Sequence, residues 1–206
     1  MSEPVVVVGA GGHAKVVVSL LQDLEIPIAG IVDDDEGVWG TEVLGSPVRG
    51  PVERAAELAP KGVLAVGSNS QRKTLEGGLA LEWIPLVHRQ AWVHSSVVLG
   101  PGTVVFAGAI VQPETKIGSH TIVNTGATVD HDCTIGDFAH LAPGVNLAGG
   151  VVVGSGTLMG IGSSAIPGVK IGKWVTVGAG ATVVGKLEDG VTAVGAPARP
   201  VGKLGD

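Results

Sequence analysis

Between residues 91 and 186 the chain reads, in sixes, AWVHSS VVLGPG TVVFAG AIVQPE TKIGSH TIVNTG ATVDHD CTIGDF AHLAPG VNLAGG VVVGSG TLMGIG SSAIPG VKIGKW VTVGAG ATVVGK. The third residue of each six runs from Val93 to Val183. In fifteen of sixteen cases it is methionine or an aliphatic residue larger than alanine, and Ala165 is the exception. The first residue is usually small: Ala, Val, Thr, Ser or Cys. Sixteen sixes without an insertion form a repeat, and a repeat constrains the architecture before any other signal. Six residues are too few for a helical repeat or a propeller blade. They suit one short strand and one corner, with three such units closing a triangular coil. The aliphatic residue then fills the prism, and the small residue sits where space is tight. Glycine after the aliphatic residue, at Gly100, Gly118, Gly136, Gly154, Gly172 and Gly178, is expected to supply backbone freedom at the bend. Five coils stacked at about 4.8 Å make a rod on the order of 25 Å long.

Composition agrees with a narrow core. Of 206 residues, 34 are glycine, 45% are hydrophobic, and only four Trp and two Phe are aromatic. Trp39 and Trp83 lie before the repeat, while Trp92, Phe106, Phe138 and Trp174 fall at positions outside the expected prism core. Collagen is excluded because the glycines keep no period of three. Disorder is excluded by the abundance of Val, Ile and Leu. A net charge of −6 argues against nucleic acid. One cysteine permits no intramolecular disulfide framework, so a reducing cytoplasm is the expected compartment. The start MSEPVVVVGAGG lacks a signal-peptide pattern, and no apolar run reaches the roughly 20 residues of a membrane span.

Upstream, residues 1–88 alternate strand-like and helix-like stretches and hold twelve acidic and six basic side chains. Val5–Val8, Ile28–Val32 and Val63–Val66 read as strands. Ala14–Leu24, Pro51–Ala59 and Gln71–Leu81 read as helices. The expected organisation is a small α/β domain over 1–88 and a β-helix with its C-terminal tail over 89–206. Gly9-x-Gly11-x-x-Ala14, between a strand and a helix, satisfies the dinucleotide fingerprint, with Asp33 in place as a ribose acceptor. Three strand candidates, however, make only half of a dinucleotide fold. A half-fold with a phosphate on a helix N-terminus suits a mononucleotide sugar better.

The opening GAGGHAKVV, the DDD at 33–35, GSNSQRK at 67–73 and NTGATVDHDCTIGDFAHLAPG at 124–144 together resemble the sialic-acid O-acetyltransferase (NeuD) group of hexapeptide-repeat acyltransferases. That group includes the N-acetyltransferases of nucleotide-linked amino sugars in bacterial glycan synthesis. The resemblance runs from about residue 4 to GAPARPV at 195–201. It implies a left-handed parallel β-helix, although parallel crossovers in general favour the right hand. It also implies acetyl-CoA as donor and a homotrimer with sites between neighbouring rods. No metal is expected, because no His/Cys spacing suggests a zinc site and direct transfer from a thioester does not require one. The implied reaction is N-acetylation of a UDP- or GDP-linked 4-amino sugar. O-acetylation of a sugar hydroxyl such as that of sialic acid is an alternative, and a non-catalytic nucleotide-binding β-helix a remoter one.

Acyl transfer from a thioester to an amine needs a base with a pKa near neutrality. His131, fifth in ATVDHD, stands at an outward corner with Asp132 beside it, and both align with the catalytic pair of the resembled family. The resemblance assigns His140, Gly149, Ile161 and Ala179 to acetyl-CoA, with the Gly149 N–H a candidate for the thioester oxyanion. GAPAR at 195–199 would lie near the nucleotide end of CoA. Asn124 is expected to support the active-site coil or to belong to an inward ladder. Cys133 falls at an inward first position and is expected to be inert packing. Nucleotide-sugar binding falls to Gly11, Gly12, His13 and Lys15 at the first turn, Asp33 and Asp34 after the second strand, and Ser68 and Asn69 after the third.

Overall fold

The computed structural model describes residues 3–201, which form two compact units that meet in sequence between His88 and Arg89. In the first unit, four strands make a parallel sheet in the order β2-β1-β5-β6: β1 (Val5–Val8), β2 (Ile28–Val32), β5 (Lys61–Leu64) and β6 (Glu82–Trp83). A two-residue hairpin, β3 (Glu42–Val43) with β4 (Ser46–Pro47), lies between β2 and β5 in sequence. All four valines of β1 are buried, as expected for a central parallel strand covered on both faces. Helix α1 (Gly12–Asp23) buries Ala14, Val17, Val18, Leu20 and Leu21, the three-and-four spacing of one helical face. On one side of the sheet Val6, Val8, Val32 and Leu64 pack with Ala55 and Ala59.

Three elements differ from the sequence expectation. The third strand runs from Lys61 to Leu64, beginning earlier than expected and ending before Ala65 and Val66. Pro51–Ala59 is not one helix but a 3-10 turn at Val52–Arg54 followed by the single-turn α2 (Ala55–Leu58). The last helix, α3 (Asn69–Gly78), stops before Leu79, and β6 adds a fourth strand that the sequence pattern does not signal.

The second unit is a three-sided parallel coil. Residues eighteen apart pair across successive turns: Ile122 with His140 and Val123 with Leu141 on one side, Thr128 with Asn146 on the next, Thr134 with Val152 on the third. From Val105 to Val183 every third-position side chain is buried, and so is every first-position side chain from Thr103 to Ala181. The inward threonines among them do not strand a hydroxyl. Thr103, Thr115, Thr121 and Thr157 donate to the carbonyls of Gly118, Asp130, Gly136 and Gly172 at 2.6–3.0 Å, each fifteen residues onward.

The glycines divide into two kinds, and this corrects the sequence reading. Those after the aliphatic residue serve close approach rather than backbone freedom. A Cβ on Gly118 would stand 2.6 Å from the Asp137 nitrogen, and one on Gly136 would stand 2.5 Å from the Ser155 nitrogen of the next turn. Left-handed backbone occurs instead at the sixth position, at Gly102, Gly108, Gly126, Gly144 and further glycines, but also at Glu114, His120, Asp132, Phe138 and Trp174. A second correction concerns the aromatics. Phe106, expected outside the core, is 1% exposed, and Phe138 stacks on the buried ring of His120 at 5.3 Å with the planes 4° apart.

Candidate active site

His131 projects from the corner that joins the Thr128–Val129 and Thr134–Ile135 strands, and its side chain is 60% exposed. The carboxylate Oδ2 of Asp132 lies 2.7 Å from its Nδ1, while the His131 backbone N–H donates to Asp130 Oδ1 at 2.8 Å. Both acids act on the ring. The bond to Asp132 is the larger cause and the charge of Asp130 the next, and together they raise the imidazole above its ordinary pKa. With Nδ1 directed at a carboxylate, the tautomer this bond favours carries the proton on Nδ1 and leaves the lone pair on Nε2.

One turn further along the coil, Gly149 lies against the same ring. A Cβ built there would stand 2.7 Å from both Cε1 and Nε2 of His131. Cys133, two residues after the histidine, is buried, with Sγ 3.3 Å from the Ala148 carbonyl oxygen, and burial pushes its thiol pKa up. It packs and does not present a nucleophile.

His140 stands on a different side of the triangle, in the strand His140–Leu141, where Asn124 Nδ2 meets its Nε2 at 3.1 Å. Asn124 Oδ1 accepts the Thr125 N–H at 2.8 Å, so the amide is fixed with its NH2 toward the ring and is not part of a ladder. Ile161, 63% exposed, and Ala179 follow one another along the corner next to that side, joined by the Gly180 N–H to Ile161 carbonyl bond. Of the expected acetyl-CoA residues, therefore, one chain places Gly149 beside His131. His140, Ile161 and Ala179 lie on another side and corner of the same coil.

In the first unit a cleft of about 530 Å³ opens where β1 and β2 end. Gly11, Gly12, His13, Asp33 and Asp34 line it; Lys15, Ser68 and Asn69 do not. Lys15 is exposed on α1, Ser68 accepts the Gln71 N–H as the cap of α3, and Asn69 Oδ1 accepts from Arg72. The N-terminus of α1 has no side-chain cap and no acid in its first turn, and Gly11 and Gly12 leave open space above it. Backbone N–H groups and the helix dipole there favour an anion. Asp33 has both oxygens engaged, one with the Ala10 N–H at 2.6 Å and one with the Asp35 N–H at 2.9 Å. Asp34 accepts the Val52 N–H at 2.9 Å.

Sequence reasoning missed Val52, Val66, Ser70, Gln71 and Thr74, which line the cleft together with Gly9, Ala65, Gly67 and Leu75. Ser70, Gln71 and Thr74 share one face of α3, a spacing that GSNSQRKT already contains. It missed Arg72 too, a 1%-exposed guanidinium that donates to the carbonyls of Val66 and Gly67 and so clamps the loop bordering the cleft. Burial lowers its pKa to about 10. Burial first, and then the Arg72 charge, lower His13 to about 4, so that histidine is neutral at pH 7.

Among the described residues no group of three or more His, Cys, Asp or Glu side chains is placed to hold a metal, and no helix is long and apolar enough to cross a membrane. The PglD N-terminal domain family matches residues 4–76. UDP-N-acetylbacillosamine N-acetyltransferase from Bacillus subtilis is 42% identical over 111 residues, an alignment covering 50% of this chain and 51% of that protein. The match thus spans about half the length of that curated relative. Solved structures match over nearly the whole chain. The acetyltransferase domain of PglB from Neisseria gonorrhoeae, in complex with acetyl coenzyme A, is 37% identical with a TM-score of 0.90, covering 98% of this chain and 100% of that one. PerB from Caulobacter crescentus, in complex with CoA and GDP-perosamine, is 40% identical with a TM-score of 0.91 over 97% of each chain.

Proposed function

The chain belongs to the left-handed β-helix acetyltransferases of nucleotide-linked amino sugars, and from that premise we propose that it transfers acetyl from acetyl-CoA to the 4-amino group of a UDP- or GDP-linked sugar. The observation that carries this reading is the outward His131–Asp132 pair, with its 2.7 Å hydrogen bond and its raised imidazole pKa. In the proposed reaction the amine attacks the thioester carbonyl carbon, forming the C–N bond, while His131 Nε2 takes the amine proton. The Gly149 N–H stabilises the oxyanion of the tetrahedral intermediate. As that intermediate collapses, the C–S bond breaks, and the imidazolium returns its proton to the departing CoA thiolate.

His140, Ile161 and Ala179 are assigned to acetyl-CoA. Because they and His131 occupy different sides of one coil, the reading includes a homotrimer in which neighbouring chains complete each site. In the first unit the diphosphate rests on the N-terminus of α1, with Gly11, Gly12 and His13, and Asp34 faces the nucleoside. Lys15, Ser68 and Asn69 support this site from its border. The setting is the cytoplasmic stage of bacterial surface-glycan synthesis.

The test is thiol release from acetyl-CoA with UDP-, GDP- and dTDP-linked 4-amino sugars, with the products weighed by mass spectrometry. The expected product is 42 Da heavier, about the mass of one acetyl replacing one hydrogen, and is stable to mild base as an amide is. A base-labile product, or turnover of free sialic acid only, assigns O-acetylation. No turnover across the panel, with nucleotide binding retained, leaves the nucleotide-binding β-helix reading. With the accepted sugar, His131→Ala is expected to lower kcat by about 10²–10⁴-fold. A kcat within a few-fold of the parent protein removes His131 from the mechanism.

A further inference from the structure

Glycine is scarce at the corner position that His131 occupies. Among the sixteen sixes the fifth residue is Pro, Ser, Ala, Thr, His, Asp, Ile or Lys, and it is glycine only at Gly149 and Gly185. The backbone does not demand glycine at 149, because its φ lies outside the left-handed region that its neighbour Gly150 occupies at 68°. Nor does the ladder, whose bonds here run from the Gly168 N–H to the Gly149 carbonyl and from the Gly150 N–H to the His131 carbonyl, both at 2.9 Å. What a side chain would meet is the imidazole. The three atoms nearest a Cβ at 149 are His131 Cε1 and Nε2 at 2.7 Å and Cδ2 at 3.3 Å. Ordinary carbon contacts are about 3.5–4.0 Å, so the ring would have to move by most of an ångström.

We propose that Gly149 is a positioning residue for the base: by lacking a side chain it lets the imidazole of His131 lie on the next turn of the coil, which aims Nε2 at the acceptor. The ring is held at two points, with Nδ1 on Asp132 Oδ2 at 2.7 Å and its far edge seated on the Gly149 backbone. The substitution Gly149→Ala would leave the ladder intact and lift that far edge. The ring then turns away from Asp132, or its Nε2 points off the acceptor. Misplacing a catalytic group by about 1 Å costs on the order of 10²-fold. This role is separate from any contact the Gly149 N–H makes, since alanine keeps that N–H. The inference rests on the reading of His131 as general base.

A double-mutant cycle separates the two. Gly149→Ala is expected to lower kcat by about 10–100-fold, with KM for acetyl-CoA and for the sugar nucleotide within about threefold and the melting temperature unchanged. In a His131→Ala background the same change is expected to alter kcat by less than about twofold. By NMR titration, the His131 pKa is expected to fall in Gly149→Ala as the ring leaves Asp132. An equal loss in the His131→Ala background overturns the proposal and assigns Gly149 to the donor or the oxyanion, and so does a Gly149→Ala enzyme with parental kcat. His131→Ala with parental activity is a different failure, that of the general-base reading itself.

Discussion

Asp132 keeps its backbone in the left-handed region, with φ at 60°, at a corner position where most of the coil uses glycine. Aspartate tolerates that conformation better than most residues, and here its carboxylate is held against the His131 ring. For the proposed general base this predicts a pH dependence. A general base works deprotonated, so the rate rises as pH passes upward through its pKa. Asp132→Asn removes the largest cause of the raised pKa; the acid limb of the kcat/KM profile should therefore move to lower pH while the plateau falls by about tenfold or more. A limb that stays in place would detach Asp132 from the base. His13 titrates with consequences for stability. Its unfolded value is near 6.5 and its folded value about 4, so the unfolded chain binds the proton first on acidification. That stability is fully present above 6.5 and is lost as pH falls from 6.5 towards 4. Urea midpoints measured at pH 7 and pH 5 should show a loss of at most about 2 kcal/mol, which His13→Gln reduces. That His131 and Asp132 share one outward corner is legible from their adjacency and the register, while their catalytic role rests on the family resemblance. The effect of Arg72 on His13 was not, because it depends on a helix folding a distant cation beneath the cleft.

At the scale of elements, β1 and β2 have the expected bounds, since each is a run of apolar residues ended by a glycine or an acid. The second helix-like stretch fails for a physical reason. Pro51 and Pro60 leave eight residues between them, too few for a helix to gain from cooperativity, and only one α-turn survives after the 3-10 start. A two-residue strand such as β6 carries no periodicity to read. The repeat was fully legible as a register, but its two glycine classes were not, because spacing records where glycine stands and not what crowds it. They predict different costs. Gly118→Ala drives a Cβ into Asp137 backbone and should destabilise by about 1–3 kcal/mol. Gly126→Ala meets nothing within 4 Å and bears only the strain of φ at 65°, about 1 kcal/mol. Equilibrium denaturation of the two variants ranks them. Equal losses would mean that the turn relaxes around residue 118.

At the scale of the whole molecule the proposed assembly carries its own test. One chain separates His131 from His140, Ile161 and Ala179 around the coil, so the mechanism as proposed needs neighbours. Sedimentation should give three copies of the 20.5 kDa chain, and specific activity should fall on dilution below the concentration at which they part. A monomer with undiminished activity at assay concentration contradicts the shared site. The coil also governs which changes of length such a gene can survive. Strands pair at an offset of eighteen residues, so inserting six between His131 and His140 would rotate everything downstream by a third of a revolution. His140 would then face a side it does not face now, and the inward residues would still fit. Inserting eighteen restores the phase and only lengthens the rod. Lineages carrying this coil should therefore grow or shrink by whole revolutions, as a screw thread does, and in-frame changes of one or two sixes should persist only beyond the last residue the site uses.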